Sequence, residues 1–205
     1  MSTRNQYPSK SLTYPEWAEI FPYWDKKTVG YQFILDKILE TVGDPKGKSF
    51  LDVGCGYGYF DFVLAEMGAN TTALDVRPKE IKKIREMKEK YKVDNLQIIH
   101  SELKKWYAEN DKKVDYTLWL NVMHHIGLFD GREHAFKILD QMLDNSKAVF
   151  VMVRPYWTRS VGTWDIGRTF PAGKETIIRE TGAHLVDFGA VPHWQAGRPL
   201  YVLTR

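Results

Sequence analysis

The sequence predicts an α/β fold, a doubly wound and mostly parallel sheet with helices on both faces. Three observations carry that expectation. Between residues 50 and 153 apolar runs that read as strands alternate with helical stretches, and that order implies parallel pairing. The stretch Phe50-Leu51-Asp52-Val53-Gly54-Cys55-Gly56-Tyr57-Gly58-Tyr59-Phe60 passes from a strand through three alternate glycines into a helix. Near the C-terminus two strands follow one another with no helix between them, which suggests an antiparallel hairpin. The 205 residues, 43% hydrophobic and 27% charged, suit one globular domain with a full core.

Residues 1–45 read as an N-terminal arm and helix, and 46–205 as the core. The arm carries Tyr7, Tyr14, Trp17, Phe21, Tyr23 and Trp24 between Pro8, Pro15 and Pro22. The prolines forbid a long helix over 1–27, and so many aromatics argue against simple disorder. It is either an arm packed on the domain or a lid over the site. Residues 28–41 read as an amphipathic helix with Phe33, Ile34, Ile38 and Leu39 inward, and 43–47 as a loop.

The first strand ends at Val53, and a helix runs from Phe60 to Met67 with Phe62, Val63 and Leu64 apolar. A second strand over 70–75 ends in Asp75. Pro78 to Tyr91 is a helix with Ile81, Ile84 and Met87 on its apolar face and a Lys/Glu-rich solvated face. Strand three is 96–99, and a helix with Leu103, Trp106 and Tyr107 starts near Ser101. Strand four is 114–120, a helix spans 131–143, and strand five is 148–153. A helix over 174–181 then precedes strands at 185–191 and 199–204, joined by the short connection 193–198.

A net charge of +3 is too small to argue for nucleic acid. The one cysteine, Cys55, cannot make an internal disulfide, which suits a reducing cytoplasm, and it reads as packing inside the glycine turn. No apolar run is long enough to span a bilayer, and the N-terminus has no signal-type apolar region.

A strand–glycine turn–helix corner is a nucleotide-binding form. Glycine is required where φ is positive or a ligand lies against the main chain. The dinucleotide fingerprint needs a glycine six positions along, and counting from Gly54 that place holds Tyr59, so the fingerprint fails. Gly-x-Gly-x-Gly with Asp52 two residues ahead resembles motif I of class I S-adenosylmethionine (SAM) methyltransferases. The resemblance implies a seven-stranded Rossmann-like sheet whose last strand inserts antiparallel. It implies SAM as cofactor and S-adenosyl-L-homocysteine as product. Gly54, Gly56 and Gly58 would let the cofactor approach, and Asp52 would neighbour its amino-acid tail. Asp75 sits where a carboxylate can accept from both ribose hydroxyls, or it caps the following helix.

Ligands of open α/β sheets bind at the carboxyl ends of the strands. Just past the carboxyl end of strand three stand Ser101 and Glu102. An acid near here often meets the adenine in this superfamily, though Glu102 is also suited to a helix N-terminus. Strand four ends in Asn121-Val122-Met123-His124-His125-Ile126. Asn121 is placed with the cofactor. The paired histidines resemble the motif IV region of small-molecule and sugar methyltransferases, where His124 or His125 could take a hydroxyl proton. The plainer alternative is that one packs under the sheet and the other orients backbone. Adjacent histidines rarely chelate one ion alone, so no metal is expected. After strand five come Arg154, Tyr156, Trp157, Arg159 and Arg168 in a long loop, and Arg198 opens the last strand. Guanidinium forks bind phosphate or carboxylate, and aromatic faces suit sugars. Any one of these arginines alone reads as a surface residue.

The glycine loop, the 121–126 turn, the Tyr156-Trp157 pair and the closing Arg198-Pro199-Leu200-Tyr201 resemble the methyltransferase domain of bacterial O-antigen chain terminators. The kinase and coiled-coil regions of some members have no counterpart in these residues. The expected activity is methyl transfer from SAM to an oxygen of a sugar, sugar phosphate or other small anionic or glycan acceptor, in the cytoplasm. RNA methylation and a SAM-binding module without catalysis are the alternatives.

Overall fold

The structure is a computed structural model that describes residues 10–21, 24–109, 112–153, 173–193 and 197–205. Its strands are β1 (Ser49–Val53), β2 (Asn70–Asp75), β3 (Leu96–His100), β4 (Val114–Leu120), β5 (Ser146–Met152), β6 (His184–Ala190) and β7 (Pro199–Thr204). They form a seven-stranded sheet in the order β3-β2-β1-β4-β5-β7-β6. β1 to β5 pair in parallel, and β7 lies antiparallel to both β5 and β6. The expected hairpin is therefore present, with the last strand inserted between β5 and β6.

Helices α1 (Glu16–Ile20), α2 (Trp24–Val42), α3 (Tyr59–Glu66) and α4 (Pro78–Tyr91) lie in one part of the chain, and α5 (Leu103–Glu109), α6 (Met123–Asp130), α7 (Arg132–Asn145) and α8 (Gly173–Thr181) in the other. Alternate residues of a strand face opposite sides. Phe50 thus packs with Ile34 and Ile38 of α2 and Phe62 of α3, while Leu51 and Val53 pack with Ile138, Leu139 and Met142 of α7. Asp52 shares a face with Phe50, so it points at α3. That placement decides the chemistry of the site.

Two elements differ from the sequence expectation. α2 starts at Trp24, closer to Pro22 than expected, because a proline disfavours helix only for itself and the residue before it. α6 occupies residues read as a turn: its N-cap is Val122, which makes no side-chain cap, and Gly127 interrupts the apolar pattern, so no start signal marks it. Both histidines consequently sit in the first turn of a helix.

The described part of the arm, residues 10–21, is packed against α3 and α4. Trp17 is fully buried, and its indole N–H donates to the Ser11 carbonyl at 2.5 Å. Tyr14 stacks on Tyr91 with centroids 3.5 Å apart and donates to Glu66, which also accepts from the Ser11 amide at 2.7 Å. Glu16 accepts from Lys90 and from the Tyr91 hydroxyl, both at 2.6 Å. The arm thereby delivers Phe21 to the edge of the cleft described next.

Candidate functional site

The chain proceeds from β1 outward to β3 and then returns to β4 on the other side of β1, so the strand order reverses at β1. The carboxyl ends of β1 and β4 lie there, the place where open α/β sheets hold ligands. A cavity of about 230 Å³ lies at this point. Asp52, Gly56, Arg77 and Asn121 supply its polar groups, and Phe21, Tyr31 and Tyr57 an aromatic wall.

The glycine turn is tied to β2: the amides of Gly54 and Cys55 both donate to the Leu74 carbonyl, at 2.7 and 3.2 Å. Gly54 has φ +70°, and a Cβ there would come within 2.4 Å of Val122 Cγ2. Its need for glycine is internal, since the start of α6 leans on it. Gly56 is different. At φ +60° its nearest neighbour to a Cβ would be the Arg77 Nη2 atom at 3.6 Å, so this is the point where bare main chain faces the cleft. Gly58 caps α3 and packs on Ile84.

Asp75, at the tip of β2, is buried. Its Oδ2 accepts from the Gly56 amide at 2.9 Å and from Arg77 Nη2 at 3.3 Å; its Oδ1 accepts from the Arg77 amide at 2.9 Å and Nε at 3.2 Å. The carboxylate holds the glycine turn and an arginine together. The Arg77 side chain is 55% exposed and also reaches Glu80 at 3.0 Å, so it is free to yield its place to a hydroxyl-bearing ligand. Asp75 is not the cap of α4: Arg77 holds that position without a side-chain cap.

Asp52 and Asp61 of α3 are near enough to feel each other's charge. Both are buried, at 4% and 1% exposure. Burial pushes the Asp52 carboxyl up, and the nearby charge of Asp75 adds to it. Burial and the charge of Asp52 push Asp61 well above the carboxylate range. Both carboxyl oxygens of Asp61 are buried without a hydrogen-bond partner among the described residues.

β3 continues one residue beyond Ile99 and ends at His100, which is paired in register with Asp75. The Ser101 amide donates to the Asp75 carbonyl at 3.2 Å, and Glu102 is exposed with its carbonyl accepting from Trp106. Asn121 follows β4 with φ +64°, held by its own amide on the Met152 carbonyl at 2.9 Å and by Arg198, whose Nη1 donates to Asn121 Oδ1 at 2.5 Å. Arg198 is 8% exposed. His124 is buried and His125 exposed, with ring centroids 4.2 Å apart; neither lines the cavity. Arg154, Tyr156, Trp157, Arg159 and Arg168 lie outside the described residues. Among the described residues no three His, Cys, Asp or Glu side chains form a metal-binding group, and no helix is long and apolar enough to cross a membrane.

Sequence reasoning passed over Asp61, Arg77, Tyr31 and Tyr57. Asp61 had a signal, a lone acid in the otherwise apolar run Tyr59–Ala65. An acid in a first helical turn is ordinarily explained by the helix dipole, which hid its neighbour.

Comparison with known proteins gives one family and several relatives. The family described as a methyltransferase domain matches residues 44–154. A ubiquinone biosynthesis O-methyltransferase of Rickettsia typhi is 35% identical over 97 residues, covering 46% of this chain and 37% of that protein. An O-antigen chain terminator bifunctional methyltransferase/kinase of Escherichia coli is 24% identical over 123 residues, covering 57% of this chain and 16% of that protein. The chain thus spans little more than a third, or less, of the curated relatives it matches. Among solved structures, a bifunctional kinase-methyltransferase superposes with a TM-score of 0.70 at 19% identity over 97% of this chain and 44% of the other. A magnesium protoporphyrin IX methyltransferase of Synechocystis, solved with S-adenosyl-L-homocysteine, superposes with a TM-score of 0.67 at 18% identity, covering 90% and 88%. At these identities the structural likeness shows the fold.

Proposed function

This chain belongs to the methyltransferase-domain family, and from that premise we propose that it transfers the methyl group of SAM to an oxygen of a sugar, sugar phosphate or other small anionic acceptor. The observation that carries the cofactor part is the bare Gly56 main chain flanked by the buried carboxyls of Asp52 and Asp75 at the point where the strand order reverses. The groups present fit SAM: one carboxyl for an ammonium, one for a ribose diol, and an aromatic wall for the rest. Bound SAM supplies an electrophilic methyl on a sulfonium, so the protein's share is largely alignment of the acceptor oxygen.

In this reading Asp52, Gly54, Gly56, Gly58 and Asp75 shape the cofactor site, with Ser101 and Glu102 towards the adenine and Asn121 at the mouth. His124 and His125 are the candidate bases for a neutral hydroxyl. A phosphate oxygen needs no base but a clamp, and Arg154, Arg159 and Arg168 with Tyr156 and Trp157 are the candidates, because they follow β5 in the chain. Arg198 serves the site through Asn121 first, since its guanidinium already holds that side chain. The excess of arginines over bases favours an anionic acceptor. The aromatic wall of Phe21, Tyr31 and Tyr57 favours a second reading, a phenolic oxygen.

The test is methyl-labelled SAM offered with a sugar phosphate, a neutral glycan, a catechol and RNA in parallel. Label in the sugar phosphate is the expected result. Label in the catechol alone supports the second reading and overturns the first, and label in RNA alone overturns both. Binding of SAM with no transfer to any of them favours a binding module.

A further inference from the structure

Arg198 settles which way the Asn121 side chain faces. A guanidinium carries N–H donors and no acceptor, so the atom that meets Arg198 Nη1 at 2.5 Å is the amide oxygen. The amide nitrogen, with its two N–H groups, is left for another partner. Among the described residues nothing accepts from Asn121 Nδ2, and the residue is half-buried on the wall of the cavity. Its backbone is held as firmly. The Asn121 amide donates to the Met152 carbonyl at 2.9 Å, and the next residue, Val122, packs on Gly54. The left-handed backbone at φ +64° costs free energy that a plain strand end avoids. A donor fixed through both its backbone and its side chain, at the wall of a cleft, is the preorganised form of a binding group.

The order of the strands says what it binds. β2, β1 and β4 are neighbours in that order, with Asp75 at the end of β2, Asp52 in β1 and Asn121 just after β4. Two other donors of the cleft lie on the β2 side: the Gly56 amide is taken by Asp75, and Arg77 rests against Asp75. The cofactor has the same linear order, a ribose, then a sulfur-containing chain, then one carbon that carries both an ammonium and a carboxylate. With the diol at Asp75 and the ammonium at Asp52, the carboxylate falls towards β4. Arg198, at 8% exposure, places a buried positive charge directly behind the Asn121 amide. Charge is poorly screened in the interior, so this cation polarises the amide and favours an anion in front of it.

We propose that the Asn121 side-chain N–H groups, oriented by Arg198, bind the carboxylate of the cofactor's amino-acid tail, while Asp52 takes the ammonium on the same carbon. Asn121 is then the residue that selects a ligand with an intact tail, and Arg198 is its positioning residue. The inference rests on the cofactor reading above.

Calorimetric titration with S-adenosyl-L-homocysteine and with its decarboxylated analogue, which keeps the ribose and the ammonium, separates the roles. The wild-type protein should bind the carboxylate-bearing ligand about tenfold to a hundredfold more tightly, the range for a hydrogen bond to a charged group. Asn121→Asp keeps an acceptor for Arg198 and a residue type that tolerates the left-handed backbone, but it offers the cleft no donor. It should lose that preference while binding the decarboxylated analogue at least as well as the wild type does. Arg198→Ala releases the amide and should lose most of the preference too. A wild type that does not distinguish the two ligands, or an Asn121→Asp protein that loses both equally, overturns the inference. Unchanged binding of both ligands with a loss of methyl transfer also overturns it, and moves the amide to the acceptor. If Asn121→Asp does not fold, the wild-type preference and Arg198→Ala decide. Binding of neither ligand by the folded wild type instead overturns the cofactor reading itself.

Discussion

Arg198, the residue before β7, donates a hydrogen bond to the side-chain oxygen of Asn121, the residue after β4, across 2.5 Å and 77 positions of sequence. Asn121 takes a left-handed backbone conformation at the cleft, which a non-glycine residue adopts only at a cost. The inserted antiparallel strand thus reaches the site by pinning one side chain beside it. Arg198→Ala should weaken binding of S-adenosyl-L-homocysteine by about 1.5–3 kcal/mol, the range for a hydrogen bond to a charged group. Arg198→Lys should recover little of it, because an ammonium lacks the planar fork. Calorimetry checks both, and unchanged affinity in a folded Arg198→Ala protein would remove the link from the site.

The glycines separate by function. Gly54→Ala places a Cβ 2.4 Å from Val122 Cγ2 and should lower the thermal midpoint sharply, with partial rescue by Val122→Ala. Gly56→Ala meets only the tip of Arg77 and should cost stability about 1–2 kcal/mol, the left-handed penalty, while losing most cofactor binding. Thermal melts and ligand titration of the same two variants show whether stability and binding part company in this way.

Asp75→Ala should weaken cofactor binding by about 1–3 kcal/mol. Arg77→Ala should leave affinity within about 0.5 kcal/mol or improve it, because an exposed ion pair is worth little and its loss frees the carboxylate. A large loss in Arg77→Ala would mean that the guanidinium itself holds the ligand.

Asp115 lies at the opposite end of the sheet, where it accepts from Lys147 at 2.7 Å and from the Ser49 amide and hydroxyl at 2.8 and 2.9 Å. The Lys147 and Ser49 hydrogen bonds hold it down at about 2. A lowered carboxylate contributes stability above its unfolded value of about 3.9, and loses it as pH falls towards 2. Urea unfolding should show Asp115→Asn less stable than wild type near neutral pH, with the gap closing between about pH 4 and 2. A gap that persists unchanged at the acid end would contradict the assignment.

The strands were legible because they carry their own signals. Val114–Leu120 and Pro199–Thr204 have the bounds that their apolar runs and turns imply, and Asp75 stands at a strand tip that spacing alone could place. α6 was not legible, since it lacks a capping residue and its apolar pattern is broken by Gly127. Nor was the proximity of Asp52 and Asp61: it needs Asp52 to share a strand face with Phe50 and α3 to lie over that face. Trp17 could be read as structured but not placed, since its ring partners Tyr59 and Phe62 lie on α3, far along the chain.

The account stands on the cleft at Gly56 binding SAM rather than a dinucleotide. Calorimetric titration of the purified protein with S-adenosyl-L-homocysteine and, separately, with NAD tests this most directly. One-site binding of S-adenosyl-L-homocysteine that is weakened in Asp75→Ala, with no heat from NAD, is the predicted result; binding of NAD, or no binding of S-adenosyl-L-homocysteine by folded protein, would contradict it.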